Sequence, residues 1–296
     1  MTALGNVSIG AALRGAAQRI ERFDARLLLE HVCACAHATL LADADRVLCA
    51  PDLAHYESLV ARRAAGEPLA YLLGSAVFYD CEFEVSPDVL IPRADTQVLV
   101  DLALEQAVKC AAPRIADLGT GSGIVAIMLA RLCPAADVSA VDLSAAALAV
   151  ARRNAERHAV KIRFLEGSWY APLGTEQFDL IVSNPPYVVA GDPHLEQDGL
   201  PFEPYTALSD GRMGGDGADC IRALVDGAGA HLRPGGRLLI EHGYDQAVIV
   251  RELLCAAGFT AVASWRDGAA IERVSGGFWA WACAAWAGTL IHCCFT

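Results

Sequence analysis

The residues best equipped for chemistry stand together in "FDLIVSNPPYVV", Phe178 to Val189. An apolar run ends in Asn184-Pro185-Pro186-Tyr187. Each proline fixes its own φ and lacks an N–H, so the chain after the run is held still and offers carbonyls without adjacent donors. Asn-Pro also marks simple turns. As a reaction centre, the stretch has a more specific use. The Asn184 side-chain oxygen and the Pro185 carbonyl are two fixed acceptors, suited to both hydrogens of a planar –NH2 group, while Tyr187 can cover its flat face. Such a nitrogen is a poor nucleophile because its lone pair is delocalised. Hydrogen bonds to both hydrogens return electron density to it and aim it, so positioning and electrostatics carry the reaction. Adenine, cytosine and glutamine all carry this group.

A second cluster lies upstream, in "ADLGTGSGIVAIMLA". Asp117, Gly119, Gly121 and Gly123 alternate with Leu118, Thr120 and Ser122. The glycines permit a sharp turn and close approach of a ligand to backbone. Asp142 follows at the end of the next apolar run, where a carboxylate can take two ribose hydroxyls. A dinucleotide site has a similar layout, but its spacing is Gly-x-Gly-x-x-Gly. Here Asp117 precedes the loop, and its charge repels a pyrophosphate but attracts an ammonium or sulfonium group. The loop resembles the first motif of class I methyltransferases, which use S-adenosylmethionine. By that resemblance Asp117, Gly119, Thr120, Gly121, Ser122, Gly123 and Asp142 form the cofactor site, Trp169 in "EGSWYAPL" packs on the adenine, and Asn184 borders the donor. Where such enzymes often carry an acid before the aromatic residue, this chain has Ser168.

These residues need a scaffold that gathers strand ends. From Arg114 onward, "RIADLG", "DVSAVDLS", "KIRFLEG", "FDLIVSNPP" and "GGRLLIEHG" read as short strands. Helical segments separate them: Gly123–Leu132, Ala145–His158, Gly217–Leu232 and Asp245–Ala257. The alternation predicts an α/β fold with a mostly parallel sheet covered on both faces, whose ligands bind beyond the carboxyl ends of the strands. Residues 1–75 read as helical, with Asp24 as an N-cap and a helix from Pro51 to Ala65. Residues 76–94 read as a hairpin and linker, 95–280 as the catalytic domain.

The chain of 296 residues has a formal net charge of −12, which disfavours nucleic acid as a partner. Its 11 cysteines show no Cys-x-x-Cys pair, so reduced, buried thiols and no bound metal are expected. The opening residues lack a signal peptide pattern, and cytoplasmic location is expected. No membrane association is expected.

The flanking sequence discriminates among the amine classes. "GEPLAYLLGSAVFYDCEFEVSPDVLIPRADTQVLV", "SNPPYVVAGDPHLEQDGLPFEPYTAL" and "LLIEHG" resemble the glutamine methyltransferases that modify peptide chain release factors, to about Trp279. The resemblance implies a class I methyltransferase (Rossmann-like) fold with a seven-stranded sheet. It implies S-adenosylmethionine as methyl donor and the glutamine of a Gly-Gly-Gln loop in class 1 release factors as acceptor. Asn184 to Tyr187 would bind that glutamine, with Asn184 and Pro185 catalytic, and the N-terminal helices would dock the release factor; a monomer is expected. Glutamine methylation of a ribosomal protein, and more distantly adenine methylation of nucleic acid, would use the same four residues. Two departures stand out. The family's Pro-Arg-Pro-x-Thr-Glu reads here Pro92-Arg93-Ala94-Asp95-Thr96-Gln97, with Arg93 equally fit for a linker salt bridge or a catalytic role. Residues 281–296, "WACAAWAGTLIHCCFT", form an unrecognised apolar tail.

Overall fold

The computed structural model describes residues 7–280, and the tail at 281–296 lies outside them. The chain begins with α1 (Ile9–Ala16), α2 (Arg22–Cys33), α3 (His37–Ala42), α4 (Ala50–Ala64) and α5 (Leu69–Leu73). Their apolar stripes meet in a core of their own, around Ile9, Leu28, Leu29, Leu40, Tyr56 and Val60. Tyr56 is wholly buried, and its hydroxyl escapes the cost of desolvation by donating to the Ala25 carbonyl at 2.9 Å. Asp24 is not the cap of α2: Glu21 occupies that position without a side-chain bond. Asp24 sits in the first turn, buried, where it takes a hydrogen bond from Arg63 Nε of α4 at 2.6 Å. The helix therefore starts about one turn earlier, and Asp24 pairs with Arg63 instead of capping it. Gly74, at φ +72°, ends α5 in the left-handed conformation that glycine adopts without strain.

An antiparallel hairpin follows, β1 (Ser75–Phe78) with β2 (Cys81–Glu84). The segment after it runs irregularly to α6 (Thr96–Ala107). Then come β3 (Arg114–Leu118), α7 (Ile124–Leu132), β4 (Asp137–Asp142), α8 (Ala145–Arg157), β5 (Arg163–Glu166) and β6 (Phe178–Ser183). A small parallel pair, β7 (Val188–Ala190) and β8 (Ser209–Met213), brackets the short α9 (Tyr205–Leu208). The described chain closes with α10 (Asp219–His231), β9 (Leu232–Glu241), α11 (Ala247–Ala256), β10 (Phe259–Arg266) and β11 (Glu272–Trp279).

The central sheet has seven strands in the order β10-β11-β9-β6-β3-β4-β5. Pairs from β9 to β5 are parallel, and β11 runs antiparallel to both its neighbours. Each central strand is apolar on both faces, as a doubly covered sheet requires. Ile115, Leu180, Val182 and Leu239 pack toward α6 and α7. Ala116, Leu118, Ile181, Leu238 and Ile240 pack toward α10 and α11 on the other face. The period-two split places Asp117 at the end of β3, beside the buried helix α7.

The chain first winds from β3 outward to β4 and β5, then returns to place β6 on the opposite side of β3. The strand order therefore reverses between β3 and β6. A crevice opens at such a switch, beyond the carboxyl ends of the strands.

Candidate active site

The glycine loop and Asn184 meet at this switch. The loop leaves β3 with Gly119, Gly121 and Gly123 at φ +76°, +55° and +85°. These are conformations that a Cβ disfavours. Gly119 and Thr120 N–H groups donate to the Val141 carbonyl at 2.8 and 3.0 Å, which ties the loop to the end of β4. Asn154 of α8, fully buried, donates to the Ser122 carbonyl at 2.9 Å and accepts from Glu84 N–H at 2.7 Å. One side chain thus pins the loop to the hairpin upstream.

A cavity of about 630 Å³ lies over this loop. That volume is ordinary for a cofactor site. Asp117, Gly119, Thr120, Gly121, Ser122, Asp142, Trp169 and Asn184 all contribute to its lining. Gly123 does not; its would-be Cβ falls 3.0 Å from Ile127 and 3.1 Å from Ala151, so it serves the packing of α7 on α8. Trp169 carries a positive φ of +45°, and its ring lies against Gly119, 3.4 Å from where a Cβ would stand. Ser168 lines the same wall. Pro87 to Leu90, Pro92 and Arg93 form the opposite wall, so the linker is part of the site.

The two carboxylates at the strand ends differ. Asp142 accepts from Gly121 N–H at 2.8 Å and Ser144 N–H at 2.9 Å, while burial raises its pKa. Each oxygen has a lone pair left for a hydroxyl. Asp117 is almost fully enclosed, and burial pushes it up to about 7, against the pull of the Thr120 hydroxyl (2.6 Å) and Ala126 N–H (3.2 Å). Asp117 is therefore a half-ionised acid near neutrality, ready to ionise fully when a cation approaches. The folded chain holds a proton on Asp117 that the unfolded chain has released above pH 3.8, its ordinary value. Stability from this group is present below that pH and is lost as pH rises through about 7. At about 1.4 kcal/mol per unit, the swing is of order a few kcal/mol. In Asp117→Asn, thermal unfolding followed from about pH 4 to about pH 7.5 should show a visibly flatter decline of Tm than in the parent.

Asn184 continues β6, and its Nδ2 donates to Thr96 Oγ1, at the start of α6, at 3.2 Å. That bond leaves Oδ1 as the free end of the amide. Pro186 joins Asn184 on the large cavity. Pro185 and Tyr187 open instead onto a second cavity of about 140 Å³, formed with Asn184, Leu90, Arg93, Leu200 and Leu208. Asn184 is thus a common wall of both spaces. Among the described residues no hydrogen bond reaches the Pro185 carbonyl oxygen. Arg93 forms the linker salt bridge: it pairs with the buried Glu203, which also accepts from Ile91 N–H at 3.0 Å.

Four contributors are invisible to motif reading. Thr96 orients Asn184 and Glu203 holds the linker. Gln246 donates to the Tyr187 carbonyl at 3.1 Å and the Asp216 carbonyl at 3.0 Å, and accepts from Gly243 N–H at 2.9 Å. Glu241, buried at the end of β9, is the fourth. No group of His, Cys, Asp and Glu placed to hold a metal occurs among the described residues, and the eight cysteines there are free. No described helix is long and apolar enough to cross a membrane.

Comparison with known proteins sharpens this picture. Residues 94–197 match the model of the methyltransferase small domain, and residues 8–74 match that of the PrmC N-terminal domain. The chain is 49% identical to a release factor glutamine methyltransferase of Xylella fastidiosa, over 90% of its own length and 96% of the relative's. It is 50% identical to a release factor glutamine methyltransferase of Bordetella pertussis, over 88% of its length and 95% of that protein's. A crystal structure of a methyltransferase from Pyrococcus furiosus shares the fold, with a TM-score of 0.51 at 20% identity, over 74% of this chain and 97% of that one.

Proposed function

Because the chain belongs to the release factor glutamine methyltransferase family, we propose that it methylates the side-chain amide nitrogen of the glutamine in the Gly-Gly-Gln loop of class 1 peptide chain release factors. The observation that carries this reading is the position of Asn184, the wall shared by a cofactor-sized cavity and a narrow one bounded by fixed acceptors.

When bound in the larger cavity, S-adenosylmethionine supplies an electrophilic methyl group on a sulfonium. The residues there suit it. Gly119 and Gly121 leave open backbone, with no atom within 4 Å of a Cβ built at Gly121. Asp142 has lone pairs for two ribose hydroxyls, Trp169 offers an aromatic face, and the nearby Asp117 carboxyl answers a positive charge. Ser168 can accept from an adenine amino group, more weakly than a carboxylate would.

In the smaller cavity the Asn184 Oδ1 and the Pro185 carbonyl accept the two amide hydrogens of the glutamine. Tyr187 and Leu208 flank the side chain. Held so, the nitrogen lone pair would face the methyl group that S-adenosylmethionine supplies, whose S–C bond is given up for the new N–C bond. The methylated nitrogen momentarily carries an extra proton, is strongly acidic, and releases it to water, so no dedicated base is required. The N-terminal helices dock the body of the release factor, and the protein acts in the cytoplasm as a monomer.

The decisive assay supplies labelled S-adenosylmethionine with a purified release factor, a ribosomal protein fraction, or DNA. Label is expected on the release-factor glutamine. Label confined to ribosomal protein or to DNA would overturn the assignment.

A further inference from the structure

Asn184 has to present oxygen, not nitrogen, to an –NH2 group. The two ends of a carboxamide have nearly the same shape, so packing alone does not choose between them; the hydrogen-bond partner does. That partner is Thr96, which accepts from Asn184 Nδ2 at 3.2 Å. A hydroxyl that accepts still has one proton of its own to place.

Glu241 stands where that proton can go. In the parallel register Ser183 of β6 lies opposite Ile240 of β9, so the next residues, Asn184 and Glu241, leave the sheet side by side. Glu241 is 1% exposed and Thr96 equally so. The Thr96 and Tyr187 hydroxyls are the polar groups that favour the charged form of Glu241, and its buried Oε2 has no hydrogen-bond partner among the described residues, so an acceptor is open to a hydroxyl proton. A buried carboxylate is costly and does nothing for packing that an apolar side chain would not do better.

We propose that Glu241 is a positioning residue of the transfer: its carboxylate takes the Thr96 proton, which obliges Thr96 Oγ1 to accept from Asn184 Nδ2 and leaves Asn184 Oδ1 facing the acceptor amide. The inference rests on the role given to Asn184 above. When Glu241 is absent, or is protonated so that its own O–H donates to Thr96 Oγ1, the Thr96 proton turns toward Asn184. The amide then turns over, and its NH2 meets the substrate's NH2, donor against donor.

The charged groups around Glu241 are few. From the start of α6 come Asp95 and Thr96, from the loop after β6 Tyr187, and from β11 Arg273, which also pairs with Asp95 at 3.2 Å and Asp267 at 3.0 Å. His242, the next residue, is turned to Ser275 Oγ at 2.8 Å and the Gly243 carbonyl at 2.9 Å. Burial pushes Glu241 up to about 7 against the pull of the Thr96 hydroxyl, with Asp95 adding to the rise. The protonated, misoriented form gains population below that pH, so kcat falls on the acid side.

The test uses the full chain, a purified class 1 release factor and saturating labelled S-adenosylmethionine. It reads kcat across pH, the donor Kd by calorimetry, and Tm. Glu241→Met removes the acceptor, and kcat should fall about tenfold to a hundredfold while donor Kd stays within about threefold. Glu241→Gln keeps an acceptor oxygen but cannot titrate, so the acid limb of kcat near pH 7 should disappear with a smaller loss of rate. Thr96→Ser should retain more rate than Thr96→Val, which keeps the inference testable if either Glu241 variant fails to fold. A folded Glu241→Met with parental kcat, an acid limb that persists in Glu241→Gln, or a rate loss matched by equal loss of donor binding overturns it. Failure of the parent itself to label the release factor overturns the functional reading instead.

Discussion

Asn184→Ala should abolish methyl transfer while leaving the methyl donor bound. Loss of one preorganised group at a reacting centre costs about a hundredfold to a thousandfold in kcat. Asn184 combines two such roles. In the proposed reaction its Oδ1 is one of the two acceptors for the substrate amide, and its side chain lines both cavities. Truncation removes the acceptor and admits water. The donor cavity keeps its glycine loop, Asp142 and Trp169, so donor affinity should fall only by about threefold to tenfold, the worth of one modest contact. Single-turnover transfer to a release factor, set beside calorimetric titration of the donor, separates the two effects. Full activity in the variant would refute the role.

Gly217→Ala should be nearly as damaging, although Gly217 is outside both cavity linings. Its φ is +70°, and a Cβ there would stand 2.3 Å from the Tyr187 carbonyl oxygen and 3.1 Å from Gln246 Nε2. Ordinary contact requires a further separation of about 1 Å, and a displacement of that size at a reacting centre is enough to cost about a hundredfold. Neither neighbour can yield cheaply, because Gln246 holds the Tyr187 and Asp216 carbonyls together. The Asn-Pro-Pro-Tyr loop would have to move as a unit. Gly235→Ala is the control: φ is +75°, but nothing stands within 4 Å of its Cβ. It should cost about 1 kcal/mol of stability through backbone strain and leave kcat intact. Equal kcat in the two variants would show that the loop tolerates displacement.

The methyltransferase fold was legible because strand-ending residues and helix periodicity recur from Arg114 onward, and the described sheet follows those runs. β10 was not. Its residues, Phe259 to Arg266, lie at the edge of the sheet, Ala261 takes φ +48°, and the pairing with β11 shifts register between Thr260 and Ala263. A bulge breaks the period of two on which strand reading depends. Asp24 misled for a related reason: a short polar residue before an apolar run signals a cap, but a partner some forty residues away decides otherwise. Within the site, Gly119, Gly121, Asp142 and Asn184 announce themselves by spacing or by neighbouring prolines. Thr96, Glu203, Glu241 and Gln246 are polar residues on separate elements, the first three inside stretches whose resemblance to the family gave them no role. What they do depends on contacts across the fold, which no local pattern encodes. Gly123 shows the converse, since a residue inside the motif turns out to serve packing.

The stretch from Pro87 to Arg93 is a wall of the donor cavity and also the only covalent path back to the five N-terminal helices. It is further strapped to the loop before α9 through Glu203. If the release factor docks on those helices as proposed, its engagement and occupancy of the cavity would act on one shared piece of backbone. Where two ligands bias the same element, their binding free energies are linked, and the linkage is reciprocal. On that reading, whatever factor the methyl donor contributes to the hold on the release factor, the release factor would return to the methyl donor.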